Sequence, residues 1–498
     1  MSNRTVITAS FLLLLCLGAY YTIRRYLVKS SLPLPPGPPG NWLFGTSLPS
    51  KNQHLKFEEW TREYGPVYSF RRGVGVVVVI GRYEPAIAIM EKEGASLTDR
   101  PLSIAAGETL SGGMRTLIVG AGARLKKLRR ALHSRLQEKV AVDYEPMQLT
   151  NAKNVVLDIL KDPQNHQAHG RRYAASVIMS LTYGKTTPTS YSDPEVQKVN
   201  ICLSRLGAAI RPGTYLVDSF PLLRYVPGYL SELKAFHREE LQLFRSQLDA
   251  VRVKMNAGED VQPCFARYLI ENQTKYELSD NELAYLAGSM FGAGSDTTAA
   301  AISIVIMSAA THPEIQAKVQ EELDRVVGLN RCPSFADQAS LPLTTAFFLE
   351  TYRWRPVSVT GFAHRATNDI FWRNYHIPAG ATVIGSHWSI FKDPEVFPDP
   401  DTFNPLRWIT KEGTVREDLR NINFGFGRRI CVGHHVANRS VFINTALLLW
   451  AFRISEDPNS PIDTMAFTSS ANIHPLPFKA RFEARQSPEQ IRRIFKEE

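Results

Sequence analysis

Residues 424–433 read FGFGRRICVG, and no other stretch limits the options of this chain as tightly. Three glycines surround Cys431, and Arg428 and Arg429 stand just before it. Glycine lets a backbone turn sharply and approach a bulky group closely. Residues 436–452 are apolar at helical spacing, so the cysteine sits just ahead of a helix. The free amides and the dipole at a helix start favour negative charge. A cysteine there is readily a thiolate, which is the metal-binding form, and loop amides aimed at the sulfur would tune its electron donation. These residues alone leave three readings open: a thiolate metal ligand, an inert buried cysteine, or a small metal site shared with His434 and His435.

With 498 residues, 44% hydrophobic and 21% charged, the chain can bury a large core. Length by itself suggests about three domains. No long low-complexity linker follows residue 40 and no repeat is visible, so residues 41–498 read as one catalytic-sized domain. Cys16, Cys202, Cys264, Cys332 and Cys431 are scattered and odd in number, with no C-x-x-C pair. That argues against a disulfide framework and for a reducing compartment. The net charge of +10 suits acidic proteins or anionic lipid. No recognised nucleic-acid motif accompanies it, so nucleic acid is not an expected partner.

The first 40 residues read as an anchor and spacer. Residues 1–5 form a short lumenal end. Residues 6–23 (VITASFLLLLCLGAYYTI) carry no charge and are about long enough for one transmembrane helix. Arg24, Arg25 and Lys29 follow, and basic flanks stay cytoplasmic. The alternative is a signal peptide, but no Ala-x-Ala site precedes the basic cluster. Residues 24–40 form a basic, proline-rich linker whose LPLPPGPPG run is stiff and extended.

Further on, residues 67–70 and 76–80 read as strands. Residues 122–136 read as a basic amphipathic helix with Leu125, Leu128, Leu132 and Leu136 in one stripe. Arg129 lies on that apolar side and calls for an anion, whereas Lys126, Lys127 and Arg130 read as a solvated face. Residues 279–307 form one long apolar helix, with Ser279 and Glu282 spaced as a capping box. Within it, Gly292-Ala293-Gly294-Ser295-Asp296-Thr297-Thr298 combines glycines that weaken the helix with a threonine that can compete for a backbone carbonyl. Together they could open a groove. An aspartate amid apolar residues is costly unless paired or functional.

Taken together, these motifs resemble the cytochrome P450 family. Phe424, Gly427, Arg429, Cys431 and Gly433 fill every fixed position of its haem-thiolate signature. Residues 293–298 fit its oxygen-binding motif. Glu350 and Arg353, with Arg407 downstream, match its charged structural triad. The resemblance spans about residues 33–485. It implies a mainly α fold with small β-sheets, behind one N-terminal transmembrane helix. It implies haem b held by Cys431, with Arg129, His364, Arg429 and Arg100 as candidates for the propionates, and with Asp296 and Thr297 serving dioxygen and protons. Leu125 stands where the family has a propionate-binding tryptophan. The residues between 217 and 230 would cover substrate entry, and residues 467–475 would line the substrate. The implied activity is a monooxygenase that inserts one atom of O2 into an apolar small molecule. Electrons would come from NADPH through a separate flavoprotein, NADPH–cytochrome P450 reductase, at the endoplasmic reticulum membrane with the catalytic domain cytosolic. The residues around Asp296 resemble fungal secondary-metabolism members, which points to terpenoid or polyketide substrates. Two rivals stay open at this stage: a P450-fold isomerase or dehydratase that needs no reductase, and a non-enzymatic haem-thiolate binder or sensor.

Overall fold

The structure, a computed structural model, describes residues 32–41, 45–73, 75–185, 192–211 and 213–497. The lumenal end, the anchor over residues 6–23 and residues 24–31 of the linker lie outside the described residues. The main helices are α1 (Gln53–Tyr64), α2 (Ala123–Leu136), α3 (Glu145–Lys161), α4 (His166–Tyr183), α5 (Pro194–Ile210), α6 (Ser231–Asn256), α7 (Asp280–Thr311), α8 (Pro313–Val326), α9 (Pro342–Trp354) and α10 (His434–Ala451). Pro194, Pro313 and Pro342 open α5, α8 and α9, where a missing N–H costs nothing.

The strands are few and short. They are β1 (Val67–Arg72), β2 (Gly75–Ile80), β3 (His364–Arg365), β4 (Ile370–Trp372), β5 (Tyr375–Ile377), β6 (Thr382–Gly385), β7 (Phe452–Glu456) and β8 (Ala480–Ala484). One sheet runs β1-β2-β6-β3. In it β2 pairs antiparallel with β1 and parallel with β6, with Val77 opposite Thr382. The β4–β5 and β7–β8 pairs stand apart. The fold is therefore mainly helical with small sheets, as expected.

Helix α7 is the axis of the molecule. Ser279 Oγ accepts the Glu282 N–H at 3.3 Å while Glu282 Oε2 accepts the Ser279 N–H at 3.0 Å, so the expected capping box closes its start. Helix α4 lies along α7, and α3 and α10 complete the layer. Val155, Tyr173, Ile302 and Leu448, one from each, are sealed in one core. By length and composition α7 could cross a membrane, but 72% of its apolar window is buried inside the protein. Its apolarity serves the core.

The glycines of α7 act differently from the expectation of a local opening. The helix is continuous from Asp280 to Thr311. A Cβ at Gly288 would lie 2.2 Å from the Phe244 ring of α6, and one at Gly294 would lie 2.6 Å from Ile178 of α4. These glycines let neighbouring helices press against α7.

Candidate functional site

The loop before α10 holds Cys431 by its own backbone. The Cys431 N–H donates to Phe424 O at 2.9 Å. Gly425 and Gly427 have φ of +81° and +51°, a region glycine enters without strain. A Cβ at Gly427 would sit 3.1 Å from Met90 O, and the Gly427 N–H donates to Glu91 Oε2 at 2.9 Å. Among the described cysteines Cys431 is the exposed one, whereas Cys202, Cys264 and Cys332 are buried. Burial nonetheless raises its thiol, and the Gly433 N–H and Arg129 offset this only in part. An accessible sulfur in an environment that desolvates it borders an interior space rather than open solvent. In the metal-free chain desolvation opposes the helix-start amides, and a bound metal ion would displace the proton.

The small metal site with His434 and His435 does not form. His434 Nδ1 meets the Cys431 carbonyl at 2.8 Å, and its ring lies tilted against His435 with centroids 3.8 Å apart. Among the described residues no cluster of three or more His, Cys, Asp or Glu is arranged for a metal.

The loop is braced by α9. Arg353 is fully buried and donates to both oxygens of Glu350, which also accepts from Arg407 Nε at 3.1 Å. A fourth donor not foreseen from the sequence, Trp408 Nε1, reaches Glu350 Oε2 at 2.9 Å.

Beside Cys431 stands a group of cations. Arg129 of α2 donates to Ile430 O at 2.8 Å. Arg429 donates through Nε to Thr98 O at 2.6 Å and also reaches Thr116 O and Val119 O. Arg100 donates to Leu117 O, Phe362 O and Ala363 O at 2.7–3.0 Å. Burial, with repulsion from Arg429 and Arg129, pushes Arg100 down to about 9, and burial with Arg129 pushes Arg429 to about 10. Among the described residues none of the three forms an ion pair with a carboxylate. The neighbouring Asp99 is taken by Arg365 at 3.3 Å and the Ala121 N–H at 2.7 Å. His364 is buried, and its Nδ1 lies 2.6 Å from Leu97 O, which can only accept. Burial, with Arg100 next, lowers it to about 3, so the ring is neutral. Three crowded guanidiniums bonded only to carbonyls leave a demand for an external anion. Lys127 departs from the expected solvated face: it binds Glu277 O at 2.7 Å and Glu282 at 3.3 Å. Lys126 and Arg130 are exposed, and Arg130 lies over the Tyr276 ring.

The other candidates sit on α7. Ala293, Asp296 and Thr297 share one face by their i, i+3, i+4 spacing. Ala293 is exposed and Asp296 and Thr297 are half-buried on a helix that is mostly buried, so this face borders a space. Thr297 Oγ1 donates to Ala293 O at 2.8 Å, as the competing-hydroxyl reading required. Asp296 is not alone: His474 Nε2 lies 2.8 Å from Oδ1 and Asn472 Nδ2 lies 3.3 Å from Oδ2. The sequence flagged their loop, but neither residue.

The comparisons with known proteins agree. The cytochrome P450 family profile matches residues 35–482. The chain belongs to the cytochrome P450 family. Cytochrome P450 monooxygenase 64 of Postia placenta is 56% identical over 95% of this chain and 96% of its own length. A cytochrome P450 monooxygenase of Armillaria gallica is 35% identical over 93% and 92%. Another from Aspergillus ruber is 33% identical over 93% and 89%. This P450 is a monooxygenase, and the family implies haem, O2, a substrate and a redox partner. The residues present fit haem: an exposed cysteine, and beside it three guanidiniums that pair with no carboxylate among the described residues.

Proposed function

We propose that this P450 inserts one atom of O2 into an apolar organic molecule, with haem b bound through Cys431. The observation that carries the reading is the exposed Cys431 beside Arg100, Arg129 and Arg429, which pair with no carboxylate among the described residues. Arg129, Arg429 and Arg100 would hold the propionates. His364 would join them once an anion stabilises its imidazolium, because Leu97 already takes the Nδ1 proton and a neutral Nε2 can only accept. Haem, when bound, supplies the oxygen-activating chemistry, and a thiolate ligand strengthens it by donating electron density.

The protein supplies placement, protons and dryness. Thr297 offers a hydroxyl, and Asp296 beside it can store and release a proton. The buried flanks of α7 keep bulk water from that face. No nicotinamide or flavin fingerprint is evident in the chain, so electrons come from NADPH through a separate P450 reductase. Exposed Lys126, Arg130 and Arg428 form a basic surface on the Cys431 side for such an acidic partner.

The anchor over residues 6–23 places the domain on the cytosolic face of the endoplasmic reticulum. Phe220, Leu222, Tyr225 and Val226 support membrane contact, since each is 48–79% exposed on short turns among the described residues. The likeness around Asp296 favours secondary metabolites, terpenoid or polyketide, as substrates. The deciding experiment is the absorption spectrum of reduced, CO-treated protein. Thiolate ligation gives a far-red Soret band, and Cys431→Ala should abolish it. Persistence of that band in the variant would refute the assignment.

A further inference from the structure

Asp296 is held by one hairpin, residues 467–475. Phe467 bridges Pro475 at its base. The His474 backbone is fixed on both sides: its N–H donates to Thr468 Oγ1 at 3.0 Å, and its carbonyl accepts the Thr468 N–H at 2.9 Å. The next residue back, Ile473, is buried and donates its N–H to Val357 O at 2.8 Å. The imidazole therefore reaches Asp296 Oδ1 from a backbone tied down at three bonds, and Asn472 takes the second carboxylate oxygen. On its other side the hairpin is wet: residues 469–471 are exposed, and the His474 side chain keeps 21% of its surface open. Among the described residues Arg211 bonds the hairpin at Ser469 O, and Asp296 is the ionisable side chain bonded to the His474 ring.

Imidazole is the side chain suited to take a proton on one nitrogen while giving one from the other. We infer that His474 is a positioning residue for Asp296 and the port through which solvent protons reach that carboxylate. This rests on the reading that Asp296 and Thr297 deliver protons. Solvent protonates His474 at Nδ1, and Nε2 gives its proton to Asp296 Oδ1. The carboxylic acid passes a proton on toward Thr297 and returns to carboxylate. Exchange with water then restores the Nε2–H tautomer. One proton leaves solvent and one reaches the site, with no change elsewhere.

The test uses full-length holoenzyme with its reductase, 7-ethoxycoumarin as an apolar probe, and the variants H474Q, H474A and D296N. Glutamine keeps an N–H for Asp296 but cannot carry a proton. H474Q should therefore form about ten-fold less product per NADPH, with the difference appearing as peroxide and a larger solvent deuterium isotope effect. That is below the roughly 10²–10⁴ of a group in direct contact, because His474 acts through Asp296. Amide hydrogen exchange over residues 467–475, read without turnover, should stay slow in H474Q and quicken in H474A and D296N. Wild-type coupling in H474Q with uncoupling in D296N would overturn the inference and leave the Asp296 reading standing. Wild-type coupling in both would overturn the Asp296 reading itself. Uncoupling in H474Q with fast exchange in the hairpin would reduce His474 to a clamp and refute the port.

Discussion

Glu350 accepts two hydrogen bonds from Arg353, Nε to Oε2 and Nη2 to Oε1, each 2.8 Å, with no part of either side chain exposed. Arg407, Trp408 and the Asn404 N–H converge on the same carboxylate. Glu350→Gln would leave a buried guanidinium without its counter-charge, which costs about 3–5 kcal/mol. A fall of that size in unfolding free energy from urea titration, with reduced haem content, is the expected result.

Thr297→Ala removes a hydroxyl whose acceptor, Ala293 O, belongs to a continuous helix. The stability change should stay within about 1.5 kcal/mol, and haem should be retained. Reducing equivalents should instead escape as peroxide. Tight coupling in this variant, measured as product per NADPH, would count against a proton role for Thr297.

Acid should weaken the fold through histidines buried as neutral rings. Burial is the first cause that lowers His166 and His387, each to about 4 from the ordinary 6.5. The unfolded chain then binds protons that the folded one refuses. Stability is full above about pH 6.5 and falls between pH 6.5 and 4, by up to about 3 kcal/mol per ring. His166→Gln can keep a bond to Phe478 O, now 3.1 Å from Nε2. It should flatten the pH dependence of the melting temperature between pH 6.5 and 4.

Gly288→Ala tests the close approach of α6 to α7. Alanine gains about 1 kcal/mol of helix propensity. Its methyl would meet the buried Phe244 ring at 2.2 Å. Overpacking of this kind costs about 1–3 kcal/mol, so the net change should be destabilising and visible as a lower urea midpoint.

What the chain discloses by itself divides along physical lines. The capping box of Ser279 and Glu282 and the β1 and β2 strands depend on short-range spacing, and both are legible. The Glu350–Arg353 pair came from the family resemblance, because its spacing recurs elsewhere in the chain, and the folded chain forms it. The membership of Arg100, Arg129, Arg429 and His364 in one cluster came from the family resemblance, and the folded chain brings them together. The raised Cys431 thiol was missed because desolvation is a property of the whole fold, whereas the helix start is local. His474 was missed for the same reason: its partner lies on another element 178 positions earlier in the chain. Trp408 follows Arg407 directly, yet nothing in its spacing says that its indole N–H turns inward to Glu350.

Helix α7 has almost no side turned to water, and it meets protein along nearly its whole length. A 32-residue helix is roughly 48 Å long, so it works as a stiff beam through the enzyme. Such a beam cannot bend to admit molecules of different shape. Accommodation of a new guest must fall to the segments that border the beam, and the 467–475 hairpin is fastened to the half-open stretch around Asp296. A change of preferred substrate and a change in oxygen economy should therefore tend to arrive in the same mutation.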